Sequence, residues 1–293
     1  MRHFKQKILA LAMAAAMALS LSSVAFAAEF SDMPTGWSKP AMEAAVENGL
    51  LSGADGKLNP QGKLTRGEMA TIVVRAFGAS VAADISGYTD VPAGTWYADA
   101  IAKAVKMGVL NGSGSSMSPT NQITRQEAFL ILARALKLKD GAAADLSAFS
   151  DASSVADWAV GGVAAMVKGG YISGSSGKLN PTSTISREEF AQVMYNIFTT
   201  YIAEAGEVTE LPEGNVIVKT GGVTLKDVTV KGDLIIADGV GEGDVTLDHV
   251  TVQGRTLVRG GGVNSIHIVN STVPDVIIAK TFGAVRVVGP AQG

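Results

Sequence analysis

Between residues 30 and 203 apolar residues recur at i, i+3 and i+4, the spacing of helices with one buried face. In WYADAIAKAVKMG, residues Ala100, Ile101, Ala104 and Val105 share a side. In TRQEAFLILARALKL, Phe129, Leu132, Ala133 and Leu136 form a second stripe. Beyond about residue 204 that period stops. Short β-branched triplets take over: VIV (216–218), VTV (228–230), LII (234–236), VTL (245–247), VTV (250–252), IHI (266–268) and VII (276–278), divided by Gly, Asp and Asn. The chain is therefore predicted to be multidomain, helical first and all-β second, with residues 204–214 (EAGEVTELPEG) as a linker and 215–293 as the β domain.

The helical part is repetitive. Trp37, Trp96 and Trp158 are 59 and 62 residues apart. The same two steps separate Arg66, Arg125 and Arg187, Gly53, Gly112 and Gly174, and Pro60, Pro119 and Pro181. Three units follow, over 28–82, 83–143 and 144–203. Each opens on aromatic-x-Asp (Phe30 to Asp32, Tyr88 to Asp90, Phe149 to Asp151) and runs through a Trp into a first helix. Gly49, Gly108 and Gly169 are expected to end that helix in a left-handed cap. A turn-rich loop (SGADGKLNP, NGSGSSMSP, SGSSGKLNP) then leads to LTRGE, ITRQE or ISREE, each launching a second helix. Gly161 and Gly162 should weaken the third unit's first helix. One unit buries too little surface to stand alone, so the three are expected to share a core. In the β part, VTV recurs after 22 residues and VTL maps onto IHI after 21, the rhythm of a parallel β-helix projecting outward from the helices.

The boxes pose a chemical question. Thr65 with Glu68, Thr124 with Glu127 and Ser186 with Glu189 are capping boxes, which satisfy free amides of the first helical turn. Arg66, Arg125 and Arg187 stand at the positive end of the helix dipole, where a cation costs about 0.3–1 kcal/mol. Two readings compensate. The guanidinium bridges to an acid, with Asp32, Asp90 or Asp151 as candidates, or it grips an external anion with two parallel hydrogen bonds beside unpaired helix amides. Under the second reading, alanine at all three arginines leaves the fold intact and abolishes binding. Trp37, Trp96 and Trp158 are either core residues or rings lining a sugar groove. Lys57 and Lys178 are solvated or add charge beside a carboxylate. Gly53, Gly112 and Gly174 serve turn geometry or let backbone approach a sugar.

Composition narrows the class. Residues 1–27 read as a secretory signal, with Arg2, Lys5 and Lys7 before an apolar run and Ala25-Phe26-Ala27 as cleavage site. Without those three of the 24 cations, 21 face 27 acids, a net charge of −6 that disfavours nucleic acid and anionic membrane. There is no cysteine, hence no disulfide or thiolate nucleophile. The acids of the β part sit at turns, and His249 and His267 are 18 apart, out of step with the period. No cofactor, metal or catalytic set is expected, and the chain is expected not to be an enzyme.

Aromatic-x-Asp, the Trp, the glycine loop ending in Leu/Met-x-Pro and the [ST]-R-x-E box together resemble the S-layer homology module, three times in order over 30–203. The resemblance implies a pseudo-threefold helical bundle whose inter-repeat grooves hold an anionic secondary cell-wall polysaccharide, commonly pyruvylated. The β part resembles the right-handed β-helices appended to such anchors. The implied function is non-covalent wall anchoring of a secreted cell-surface protein, with the β-helix as a structural or assembly module that contacts itself or other surface proteins. An anchored polysaccharide-degrading enzyme and a self-assembling lattice protein are the alternatives.

Overall fold

The structure, a computed structural model, describes residues 30–289. The expected signal sequence lies outside them. Six helices come first: α1 (Lys39–Glu47), α2 (Arg66–Phe77), α3 (Ala98–Lys106), α4 (Arg125–Ala135), α5 (Asp157–Lys168) and α6 (Arg187–Ile197). The boxes start α2, α4 and α6, with both reciprocal hydrogen bonds formed each time. The first helices α1, α3 and α5 have no side-chain cap of their own. Gly49, Gly108 and Gly170 follow them at φ 67°, 72° and 73°. Gly170, not Gly169, is thus the third left-handed cap, and it restores the 59 and 62 step. Gly161 and Gly162 prove to be sites of close approach: a Cβ on Gly162 would lie 2.7 Å from Leu130 Cδ1, so the residue lets α5 settle onto α4.

The helices pair between units rather than within them. α2 packs on α3, α4 on α5, and α6 returns to α1. The segments before the boxes repeat that closure in backbone hydrogen bonds. Ile123 N donates to Leu64 O (2.9 Å), Ile185 N to Ile123 O (3.1 Å) and Leu64 N to Ile185 O (3.0 Å). All three side chains are fully buried.

The β half is a parallel solenoid of about four turns, with strands β1 (Thr200–Ile202), β2 (Gly206–Val208), β3 (Val216–Val218), β4 (Val223–Lys226), β5 (Thr229–Val230), β6 (Leu234–Ile236), β7 (Val245–Asp248), β8 (Thr251–Val252), β9 (Thr256–Val258), β10 (His267–Val269) and β11 (Val276–Ile278). They stack as β1-β3-β6-β9-β11, β2-β4-β7-β10 and β5-β8. Thr229 pairs with Thr251 and Thr246 with His267, the offsets of 22 and 21 read from the sequence. Residues 204–214 are not a free linker: β2 lies within them and pairs with β4.

The solenoid does not project outward. In the first sheet Val216, Val218, Leu234, Ile236 and Val258 fill the solenoid interior, while the intervening Tyr201, Ile217, Ile235, Leu257 and Ile277 join the core of the helices. That double burial is why VIV and LII are apolar throughout, whereas VTL turns its Thr to solvent. Polar side chains complete the junction at helix C-termini, where carbonyls lack partners and the dipole favours cations. Lys219 Nζ donates to Arg75 O (3.0 Å), Arg255 to Lys137 O (3.3 Å) and Asn215 to Ile197 O (2.8 Å). Arg259 is fully buried, paired through Nε with Asp238 (2.6 Å) and donating to Met107 O (3.0 Å).

Candidate functional site

At each boundary between units the motif arginine of one faces the capping glutamate of the next. Arg66 pairs with Glu127 (3.2 Å), Arg125 with Glu189 (3.0 Å) and Arg187 with Glu68 (3.1 Å). Each Nε also donates to a loop carbonyl: Met117 O (2.8 Å), Leu179 O (2.8 Å) and Leu58 O (2.7 Å). The acids expected as partners do something else. Asp32 accepts from the Leu58 and Asn59 amides, Asp90 from Met117 and Ser118, and Asp151 from Leu179 and Asn180. The Leu58 amide, followed by its Asn59 neighbour, holds the Asp32 carboxyl below its ordinary value. Burial pushes Asp90 and Asp151 upward, but their hydrogen bonds outweigh it and leave both lowered. Burial likewise acts to raise Glu189, and the Ser186 amide and Arg125 reverse it.

The helix tips are not open anion sites. The first two amides of α2, α4 and α6 donate to carbonyls of a neighbouring unit: Arg66 to Asn121 O and Gly67 to Pro119 O, Arg125 to Ser183 O and Gln126 to Pro181 O, Arg187 to Gly62 O and Glu188 to Pro60 O. The third amide donates to the box hydroxyl. The misplaced arginine is therefore a staple between units, and the cost of its position is offset by charge-assisted hydrogen bonds of about 1.5–3 kcal/mol. Substituting all three would remove bonds between units as well as any grip on an external anion.

The middle box residue joins units as well. Gln126 accepts from the Ala156 amide at the start of α5, and buried Glu188 accepts from Ser38 Oγ (2.6 Å) at the start of α1. Gly53, Gly112 and Gly174 are sites where an aromatic ring and a loop carbonyl, of Lys57, Ser116 or Lys178, both come close. A Cβ there would meet the opening Phe30, Tyr88 or Phe149 at 2.2, 2.4 or 2.8 Å. Only Gly174 has positive φ (67°). Lys57 and Lys178 are exposed and sit beside Asp32 and Asp151.

The tryptophans leave the core. Trp37, Trp96 and Trp158 are 60, 64 and 57% exposed. A cleft of about 580 Å³ brings Trp158 of the third unit together with Arg66, the Asn111–Gly112 loop edge, Glu127 and Arg134. A second, of about 180 Å³, joins Trp96 to Arg187, Ser52, Glu68 and Arg75. Lys57 and Lys178 line neither. Arg75 and Arg134 were missed by the sequence reading because they sit in the last turns of α2 and α4, where a basic residue is ordinary. Their 59-residue separation was the available signal.

The family model for the S-layer homology domain matches residues 29–70, 87–129 and 148–191. The helical half consists of three S-layer homology domains. The surface-layer 125 kDa protein of Lysinibacillus sphaericus is 37% identical over 227 residues, 74% of this chain and 19% of that protein. The S-layer protein sap of Bacillus anthracis is 29% identical over 210 residues (69% and 25%). Exoglucanase XynX of Acetivibrio thermocellus is 30% identical over 173 residues (57% and 16%). The chain thus spans a quarter or less of the length of these relatives. S-layer homology domains with S-layer relatives make this a cell-surface, cell-wall-associated protein. Among the described residues no helix is long and apolar enough to cross a membrane.

Proposed function

We propose that the three domains form a pseudo-threefold bundle that fastens the protein non-covalently to the wall by binding an anionic secondary polysaccharide, one carrying pyruvyl ketals, in the clefts between domains. The observation that carries this reading is the pairing, in both clefts, of an exposed indole with guanidinium groups across a domain boundary. An indole face suits the apolar face of a sugar, and a guanidinium fork suits a ketal carboxylate. Two clefts on one rigid body raise avidity by about 10²–10⁴ for a polymer that reaches both.

The solenoid, in this reading, is a structural module. It braces the helical half along one face and presents its other faces to surface partners or further copies. The chain binds glycan and does not cleave it. Co-sedimentation with purified walls tests the proposal: Trp96→Ala with Trp158→Ala should abolish it, and wild-type protein should lose most binding on walls stripped of pyruvyl groups. Unchanged sedimentation of the double variant would refute the clefts. Release of reducing ends from wall glycan would refute the non-catalytic reading.

A further inference from the structure

The three domain boundaries are built alike but are not chemically equal. Every motif arginine is spent on a glutamate and a carbonyl, so its charge is largely neutralised before a ligand arrives. The second cation of each cleft is different. The Arg134 guanidinium makes no hydrogen bond or ion pair among the described residues and stands in the wall of the larger cleft with Trp158. Arg75, in the matching position of the other, holds only Leu50 O (3.3 Å) and Ser52 Oγ (3.2 Å), both neutral. At the third boundary the step of 59 and 62 leads from Arg75 and Arg134 to Asn196. Asn196 has no charge, and its amide is occupied, accepting from Gln192 (2.8 Å) and donating to Tyr171 O (3.0 Å). The extra cation there, Lys63, lies 3.7 Å from Glu189 and is engaged with it.

We infer that the anion is gripped by Arg134 and Arg75 rather than by the motif arginines, and that the boundary of Arg125, Asn196 and Trp37 does not bind it. This rests on the glycan reading above and adds which cations, and how many clefts, do the work. An uncommitted guanidinium gives its full charge-assisted bond to an incoming carboxylate, whereas a paired one must first release its partner.

Calorimetric titration of the full secreted chain with soluble pyruvylated wall polysaccharide, cut to fragments too short to bridge two clefts, tests this. Wild type should bind two fragments. Arg134→Gln should remove one of them or weaken it by roughly ten- to hundredfold. Arg75→Gln should do so at the other. Asn196→Arg should create a third site, and this gain does not depend on any variant losing stability. Wild-type affinity and stoichiometry in both Gln variants would overturn the assignment, as would a third fragment bound by the native chain. The Trp96→Ala and Trp158→Ala variants separate the two levels. If they lose binding while the Gln variants keep it, the clefts stand and the arginine assignment falls; if all bind as wild type, both fall.

Discussion

Both halves of the molecule are made of repeats, and they solve the end problem of repetition in opposite ways. The helical half closes. Each unit gives its arginine and its helix amides to the next, and the third gives them back to the first. The β half stacks, each rung paired with the one before and after in parallel register, with β11 as its last strand in the first sheet. In the ring no unit has a free interface, so the bonds between units carry the fold. In the stack, loss of one side chain is felt by its neighbouring rungs. Repetition in sequence therefore says little about cooperativity until the topology is known.

The largest effect should come from opening the ring. Alanine at Arg66, Arg125 and Arg187 removes three part-buried pairs at about 1.5–3 kcal/mol each. The expected outcome is loss of cooperative thermal unfolding of the helical half, measured by circular dichroism. Retained native melting would show that the ring closes without them.

The next effect lies where the halves meet. Arg259→Met leaves Asp238 buried without its partner and should cost about 3–5 kcal/mol in denaturant unfolding. Arg259→Met combined with Asp238→Leu should recover part of that loss, and a double variant weaker than the single would count against the pair as the cause.

Acid should act on the helical half through groups held below their ordinary range. Asp32, Asp90 and Asp151 are lowered from 3.8 and Glu189 from 4.5. A depressed folded pKa stabilises above the unfolded value and stops doing so as pH falls through the folded one. Stability should be flat near neutrality and fall below about pH 4, by less in an Asp151→Asn variant. The smallest effect should come from the exposed indoles: Trp96→Ala and Trp158→Ala should move stability by no more than about 0.5 kcal/mol. A large loss would mean that the rings hold the domains together after all.

Three helical units and the solenoid period were legible because both rest on local rules, apolar spacing and turn chemistry. What escaped depends on partners far along the chain. The destination of Arg66 is Glu127, 61 residues on, and nothing within LTRGE distinguishes a staple from a ligand hook. Trp37, Trp96 and Trp158 stand at the starts of amphipathic helices, where burial is the usual outcome, yet all three are exposed. β9 escaped because TLV lies between Arg255 and Arg259, and a buried arginine looks like a solvated one until its carboxylate is found. VIV and LII did carry the docking of the halves, since a strand apolar at every position has two faces to hide.

Because the solenoid lies lengthwise on the helices, traction along its axis would load Ile217, Ile235 and Leu257 together in shear rather than peel them one after another. A junction with that geometry resists pulling far better than one joined by a flexible hinge.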